Sequence, residues 1–293
     1  MSEAMRETWH IGVIGGSGLA AGIGIDNAQE IAVCSPFGPP SGAVTTGTLE
    51  GVRFTFLPRH GPGHAIPPSH VNYRANIDVL KRCGVTDVIA LSAIGSLNGD
   101  MAPGHFVAVD QFIDRTTSRE SSFFGPGLVA HVSMADPVCP RLSAALAQAV
   151  QAEGATVHPR GCYIAIEGPQ FSTRAESRLY QSWGADVIGM TALPEARLAR
   201  EAELPYALLG MVTDYDSWRE SEEGVDAADV LRVMARNTQL ARQVLRQFAR
   251  QLPGERGTSP IDRALDNAIM TAPDKRDPAL MARLHAVAGR VLG

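Results

Sequence analysis

Lysine is nearly missing from this chain. Of its 26 basic side chains only Lys81 and Lys275 are lysine, and no G-K-[S/T] occurs anywhere. A Walker A phosphate loop depends on that lysine, so nucleotide hydrolysis of the P-loop kind is excluded. Cysteine is scarce as well: Cys34, Cys83, Cys139 and Cys162 are far apart and form no C-x-x-C. Neither a zinc knuckle nor a thioredoxin-type pair is indicated, and the four read as small buried residues in a reducing compartment. No apolar run approaches the roughly 18 residues of a membrane span, and MSEAMRETWH lacks the apolar centre of a signal peptide. A cytoplasmic protein with no membrane partner is the expectation. An excess of positive charge is missing too. The formal charge of −5 offers no field to draw nucleic acid, so any bound anion must be held by a local site. His64 and His70 lie near His60 without acidic partners at metal spacing, so no metal is expected.

What remains is an ordinary globular composition, 45% hydrophobic and 19% charged over 293 residues, enough for one large domain. HIGVIG is short, apolar and β-branched and breaks into GGSG, which reads as a buried strand feeding a tight turn. Further strands are expected at 52–57, 86–93, 105–110, 162–168 and 205–213, with helices near 73–83, 140–153, 174–183, 193–203 and 226–251. Strands alternating with helices predict an α/β fold around a central, largely buried sheet. Thr173 and Glu176 have capping-box spacing, which starts a helix just after EGPQFS. Pro194 suits a first helical turn, where its missing N–H costs nothing. QLPGERGTSP reads as a linker, and 261–293 carries two short helical patterns. The expected organisation is a domain over 9–251 followed by a linker and helical C-terminal appendage over 252–293.

Several loops could carry chemistry. Gly15, Gly16, Ser17 and Gly18 can offer N–H groups and a hydroxyl to an anion, although glycine turns after strands are common. Gly16, Gly18 and Ala21 fit a dinucleotide fingerprint loosely, without the acidic residue that should end the βαβ unit. Arg59 and His60 follow a strand in a Gly- and Pro-rich stretch; a guanidinium fork beside an imidazole suits phosphate or carboxylate, and equally a surface salt bridge. Ser92, Ala93 and Gly95 end a buried strand, and Gly189, Met190 and Thr191 have the same character, with a structural turn as the plain alternative. Asp214 and Asp216 follow the apolar run PYALLGMV and point to one side if the strand continues. Two carboxyls at the carboxyl end of a sheet are costly unless they bind something; a solvated turn is the other reading.

Taken together, IGVIGGSGL, RHGPGH, HVNYRANI, DQFIDRTT, IEGPQFSTRAES, WGADVIGMTALPE and VTDYDSW resemble, in order, the blocks of the methylthioadenosine phosphorylases, a branch of the trimeric purine nucleoside phosphorylase family. The resemblance spans about residues 9–250. It implies a single α/β domain with a mixed, twisted central sheet flanked by helices. It also implies phosphorolysis of S-methyl-5′-thioadenosine to adenine and 5-methylthioribose 1-phosphate, with phosphate as co-substrate and no cofactor.

The roles that follow are those of the family's matching positions. Phosphate would be held by Ser17, Arg59, His60, Ser92 with the Ala93 backbone, and Thr191. Met190 would lie against the ribose, and Phe171 and Ser172 would border base and sugar. Asp214 and Asp216 would face the imidazole nitrogen and the 6-amino edge of the purine, Asp214 being the proton donor. His131 would reach a neighbouring subunit's 5′ pocket in a homotrimer. Ser17 and Ser92 stand where these enzymes often carry threonine, and G-M-T resembles the G-M-S of inosine and guanosine phosphorylases. The alternatives are the same reaction on methylthioinosine, adenosine or inosine, a nucleosidase using water, and a nucleotide-binding module built on the glycine loop.

Overall fold

The computed structural model describes residues 8–16, 23–219 and 227–292. Within them the chain forms β1 His10–Gly15, β2 Asp26–Ile31, β3 Val44–Leu49, β4 Val52–Pro58, α1 Tyr73–Arg82, β5 Asp87–Ser96, β6 Phe106–Val109 and β7 Gln111–Arg115. There follow α2 Pro140–Ala152, β8 Val157–His158, β9 Cys162–Ile166, α3 Arg174–Ser182, β10 Val187–Gly189, α4 Ala192–Glu201, β11 Tyr206–Asp214 and α5 Ala227–Gln251. The chain closes with α6 Pro278–Arg283 and α7 His285–Leu292. The alternation read from the sequence is thus present, and the protein is an α/β domain built on one mixed sheet.

Central strand β5 has three neighbours. Its first half pairs in parallel with β1, from Ile11 opposite Asp87 to Ile14 opposite Ala90. Its other edge pairs in parallel with β11. At its far end Gly95 and Ser96 pair antiparallel with β10. The sheet therefore forks: β1 leaves β5 after Ala90, β10 joins at Gly95, and, among the described residues, 91–94 have no strand neighbour on that edge.

Period-two alternation along β5 and β11 feeds two layers. Val88, Ala90, Leu208 and Val212 join a core with Ile77 and Leu80 of α1 and Ala196 and Ala199 of α4. Ile89, Leu91, Ala207, Leu209 and Met211 face Leu142 and Leu146 of α2 and Val244, Leu245 and Phe248 of α5. Strands buried on both faces read as continuous apolar runs, which is why β1, β5 and β11 stood out in the sequence. The C-terminal stretch packs against the first of these layers, with Leu265, Leu284, Val287 and Ala288 in its core. Arg256, 2% exposed, ties the stretch to Asp87 and Asp262.

Some details differ from expectation. β5 runs on through Gly95 to Ser96, because β10 and β11 supply partners where a turn was read. β2, β3, β7, β8 and β10 were not anticipated: β2 is DNAQEI, exposed throughout, and β10 is three residues long. Of the cysteines only Cys139 is buried; Cys34 is exposed and the other two are intermediate. Both helix starts hold. Thr173 and Glu176 form a reciprocal capping box, and Leu193 is extended, so the helical conformation of α4 begins at Pro194.

Candidate active site

The open edge at the fork is filled by Arg59. β4 ends at Pro58, and the Arg59 N–H donates to the Gly15 carbonyl at 3.0 Å, holding the chain against the end of β1. The guanidinium, 2% exposed, then turns into the gap. It donates to Leu91 of β5 at 3.1 Å and to Ile14 of β1 at 3.4 Å, two carbonyls at the point of divergence. It also meets Glu195 of α4 in a two-point contact at 2.8 and 2.9 Å. Four of its five N–H groups are thereby committed, leaving one Nη1 hydrogen for a ligand. Burial opposes the charge of Arg59, but Glu195 outweighs it and holds the guanidinium protonated beyond its usual range.

Around this arginine the anion-suited loops converge. Ser92 and Thr191, 99 residues apart, bring their hydroxyls to 3.3 Å. The Thr191 N–H donates to the Tyr163 hydroxyl at 3.2 Å. Gly189 is required here, since a Cβ would strike the Tyr163 ring and hydroxyl. His60 is buried, and burial with the nearby Arg59 lowers its pKa to about 4. Its Nδ1 lies 2.9 Å from the Ile66 carbonyl. A carbonyl only accepts, so the neutral ring carries its proton on Nδ1 and leaves Nε2 as an acceptor, suited to the P–OH of hydrogen phosphate. Ser17 lies outside the described residues, as do Gly18 and Ala21.

The carboxyl pair is brought together differently from the sequence expectation. β11 ends at Asp214, with a register shift against β5 between Val212 and Asp214. Asp216 has φ 49°, so a turn places it beside Asp214, not a continued strand. Its N–H donates to Asp214 Oδ1 at 2.8 Å. Both side chains lie over Gly95, where a Cβ would come within 2.9 Å of Asp214 Oδ1 and 3.5 Å of the Asp216 Cβ. Burial raises the pKa of Asp214 against the Thr213 hydroxyl and Asp216 N–H that favour its charge. Burial raises Asp216 too, against Ser177 first. Both shifts run in the direction that a proton donor at neutral pH needs.

Ser172 is buried beside this pair, where its hydroxyl favours the charged form of Asp216, while Phe171 is 45% exposed. Met190 is half-buried and lies over Gly168. His131 is exposed, and its N–H donates to the Ala268 carbonyl at 2.9 Å, where the chain meets its C-terminal stretch and apart from the other candidates.

Sequence reasoning missed two positions. Glu195 gives no local sign of its partner, which is 136 residues away. Arg119, 2% exposed, ties the loop after β9 to the turn before α4. It donates to the carbonyls of Met190 at 2.6 Å and Leu193 at 2.8 Å, to the Glu167 carbonyl at 2.8 Å and to Glu167 Oε1 at 3.1 Å. Nothing near it in the sequence marks it, since β7 before it was not anticipated and its partners lie about 50 to 70 residues away. Among the described residues no group of three or more His, Cys, Asp or Glu could hold a metal, and no helix is long and apolar enough to cross a membrane.

Residues 10–250 match the family model described as the phosphorylase superfamily. An S-methyl-5′-thioadenosine phosphorylase of Cereibacter sphaeroides is 56% identical over 284 residues, covering 96% of this chain and 98% of that protein. One of Bradyrhizobium diazoefficiens is 54% identical, with the same 96% and 98% coverage. Among solved structures, a methylthioadenosine phosphorylase from an antarctic soil metagenomic library superposes with a TM-score of 0.90 at 42% identity, covering 96% of this chain and 99% of that one.

Proposed function

The chain belongs to the phosphorylase superfamily, and on that premise we propose that it cleaves S-methyl-5′-thioadenosine with inorganic phosphate, yielding adenine and 5-methylthioribose 1-phosphate. It is a pentosyltransferase. The observation that carries the reading is the meeting, across the forked end of β5, of a buried anion-suited cluster with two half-buried carboxyls whose pKa values are raised.

Phosphate lies against Ser17, Arg59, His60, Ser92, the Ala93 backbone and Thr191. Held beneath the anomeric carbon, it supplies both the nucleophile and negative charge beside the developing ribosyl cation. Met190 packs on the ribose, with Phe171 and Ser172 at the base and sugar. Asp214 protonates the imidazole nitrogen of the departing purine, so that the base leaves neutral. Asp216 accepts from the 6-amino group. The catalytic unit is 9–251, covered by 252–293; the active form is a cytoplasmic homotrimer in which His131 reaches a neighbour's 5′ pocket. No cofactor takes part.

One observation favours a second substrate: burial raises the pKa of Asp216, and its protonated form can donate to the oxygen of a 6-oxopurine. The test is release of free base from methylthioadenosine, methylthioinosine, adenosine and inosine, with and without phosphate. Fastest adenine release from methylthioadenosine, only with phosphate, supports the reading. A faster methylthioinosine reaction overturns the role of Asp216, and phosphate-independent release overturns phosphorolysis.

A further inference from the structure

Each carboxyl of the pair faces a buried hydroxyl that has a second acceptor behind it. Thr213 Oγ1 is 2.7 Å from Asp214 Oδ2 and 3.2 Å from the Ile94 carbonyl. Ser177 Oγ is 2.5 Å from Asp216 Oδ2 and 3.1 Å from the Thr173 carbonyl. Thr213 is 5% exposed and Ser177 fully buried. A hydroxyl carries one hydrogen and can both donate and accept. When Asp214 is protonated on Oδ2, its O–H can donate to Thr213 while Thr213 donates to Ile94. When Asp214 is ionised, the Thr213 hydrogen serves the carboxylate. Both states have a hydrogen bond at the same place, and the same pattern recurs at Asp216.

We propose that Thr213 is a positioning residue for the proton transfer: its hydroxyl turns from the Ile94 carbonyl to the Asp214 carboxylate as the proton leaves. The inference rests on the phosphorolysis reading above for the identity of the proton acceptor. In the step, a phosphate oxygen bonds to the anomeric carbon while the glycosidic bond breaks, its electron pair passing to the purine. As the nucleoside binds, the Asp214 O–H swings from Thr213 to the imidazole nitrogen; the O–H bond then breaks and an N–H bond forms there. The hydrogen of Thr213 stays on Thr213 and changes acceptor only. The charge left on Asp214 is then met by two donors, Thr213 at Oδ2 and the Asp216 N–H at Oδ1.

Asp216 is also reached by the Ser217 N–H and the Ser172 side chain. β5 offers Ile94 and Gly95 and β10 offers Ile188, none of them charged. α3 offers Ser177, Tyr180, whose phenol feels Asp216, and Arg174, whose guanidinium donates to the carbonyls of Ser217 and Arg219. Among the described residues, Asp216 is the charge nearest to Asp214 on its own turn.

The test compares Thr213→Val, which keeps the shape and removes the hydroxyl, with Thr213→Ser, which restores it. Thermal melts report folding, and Thr213→Ala serves if the valine variant fails to fold. Loss of a charge-assisted bond to the product carboxylate lowers kcat by about 10- to 100-fold. It should also move the alkaline limb of the kcat profile to higher pH and leave the KM for phosphate unchanged, with Thr213→Ser close to wild type. An infrared titration of the ligand-free protein, with the Asp214 carboxyl band assigned by its loss in Asp214→Asn, reads the same contact without turnover. Its midpoint should rise in Thr213→Val. If the wild type fails to phosphorolyse methylthioadenosine, the functional reading falls and the infrared titration alone decides the inference. An unmoved carboxyl titration, or equal damage in the serine and valine variants, overturns it.

Discussion

The Arg59 guanidinium and the Glu195 carboxylate meet at two points, 2.8 and 2.9 Å apart, with side chains only 2% and 1% exposed. Removing one partner strands a buried charge, which typically costs about 3–5 kcal/mol. Arg59→Ala is therefore expected to lower unfolding stability by that order, beyond any loss of phosphate binding. Replacing both residues with apolar ones should recover much of the loss while leaving the KM for phosphate high. Denaturant titration with phosphate kinetics separates the two effects. Equal stability of the single variant and the wild type would show that the pair is not holding the fork.

Asp214→Asn keeps an oxygen for the Asp216 N–H and loses the transferable proton. Turnover of methylthioadenosine should fall by about 10²- to 10⁴-fold, with the melting temperature little changed. Near-normal turnover would remove Asp214 from the role of donor.

Arg119 acts through backbone carbonyls at Met190, Leu193 and Glu167. Arg119→Lys keeps the charge but cannot reproduce the fork of donors. The KM for the nucleoside should rise by about tenfold or more, with a smaller change for phosphate. Equal effects on both constants would make Arg119 a stability residue only.

Acid stability follows from buried histidines. His10, buried and near Arg53, and His60, buried beside Arg59, each have a pKa of about 4. The unfolded chain binds their protons near pH 6.5 and the folded chain does not. Their contribution is therefore complete above pH 6.5 and lost as pH falls to 4, at up to about 3 kcal/mol each before solvent screening. Glu201, raised by burial to about 7, works the other way: its contribution is complete below its ordinary pKa and lost as pH rises through 7. Unfolding followed against pH should give a shallower acid slope in His10→Asn and a steeper one in Glu201→Gln. Parallel curves for all three proteins would contradict the assignments.

Much of this could be read before any coordinates. The capping box at Thr173 and Glu176, the start of α4 at Pro194 and the apolar runs of β1, β5 and β11 all depend on residues within a few positions of each other. Local hydrogen bonding and side-chain periodicity settle them. The unforeseen strands failed for the same reason. β2, exposed along its length, and β7, whose side chains are half-buried or exposed, exist because β3 and β9 lend them partners, which no alternation of their own announces.

The sequence by itself determined the α/β class, the order of the blocks and the residue types that phosphate and purine chemistry require. Only the tertiary structure decided how those residues are used. It parted β1 from β5, sent Arg59 to Glu195 and to the two carbonyls at the fork, and bent the chain after Asp214 so that Asp216 lies beside it. Pairing across 136 residues has no local signature: it is set by where one strand leaves another, and burial there, not spacing along the chain, raises the two carboxyls.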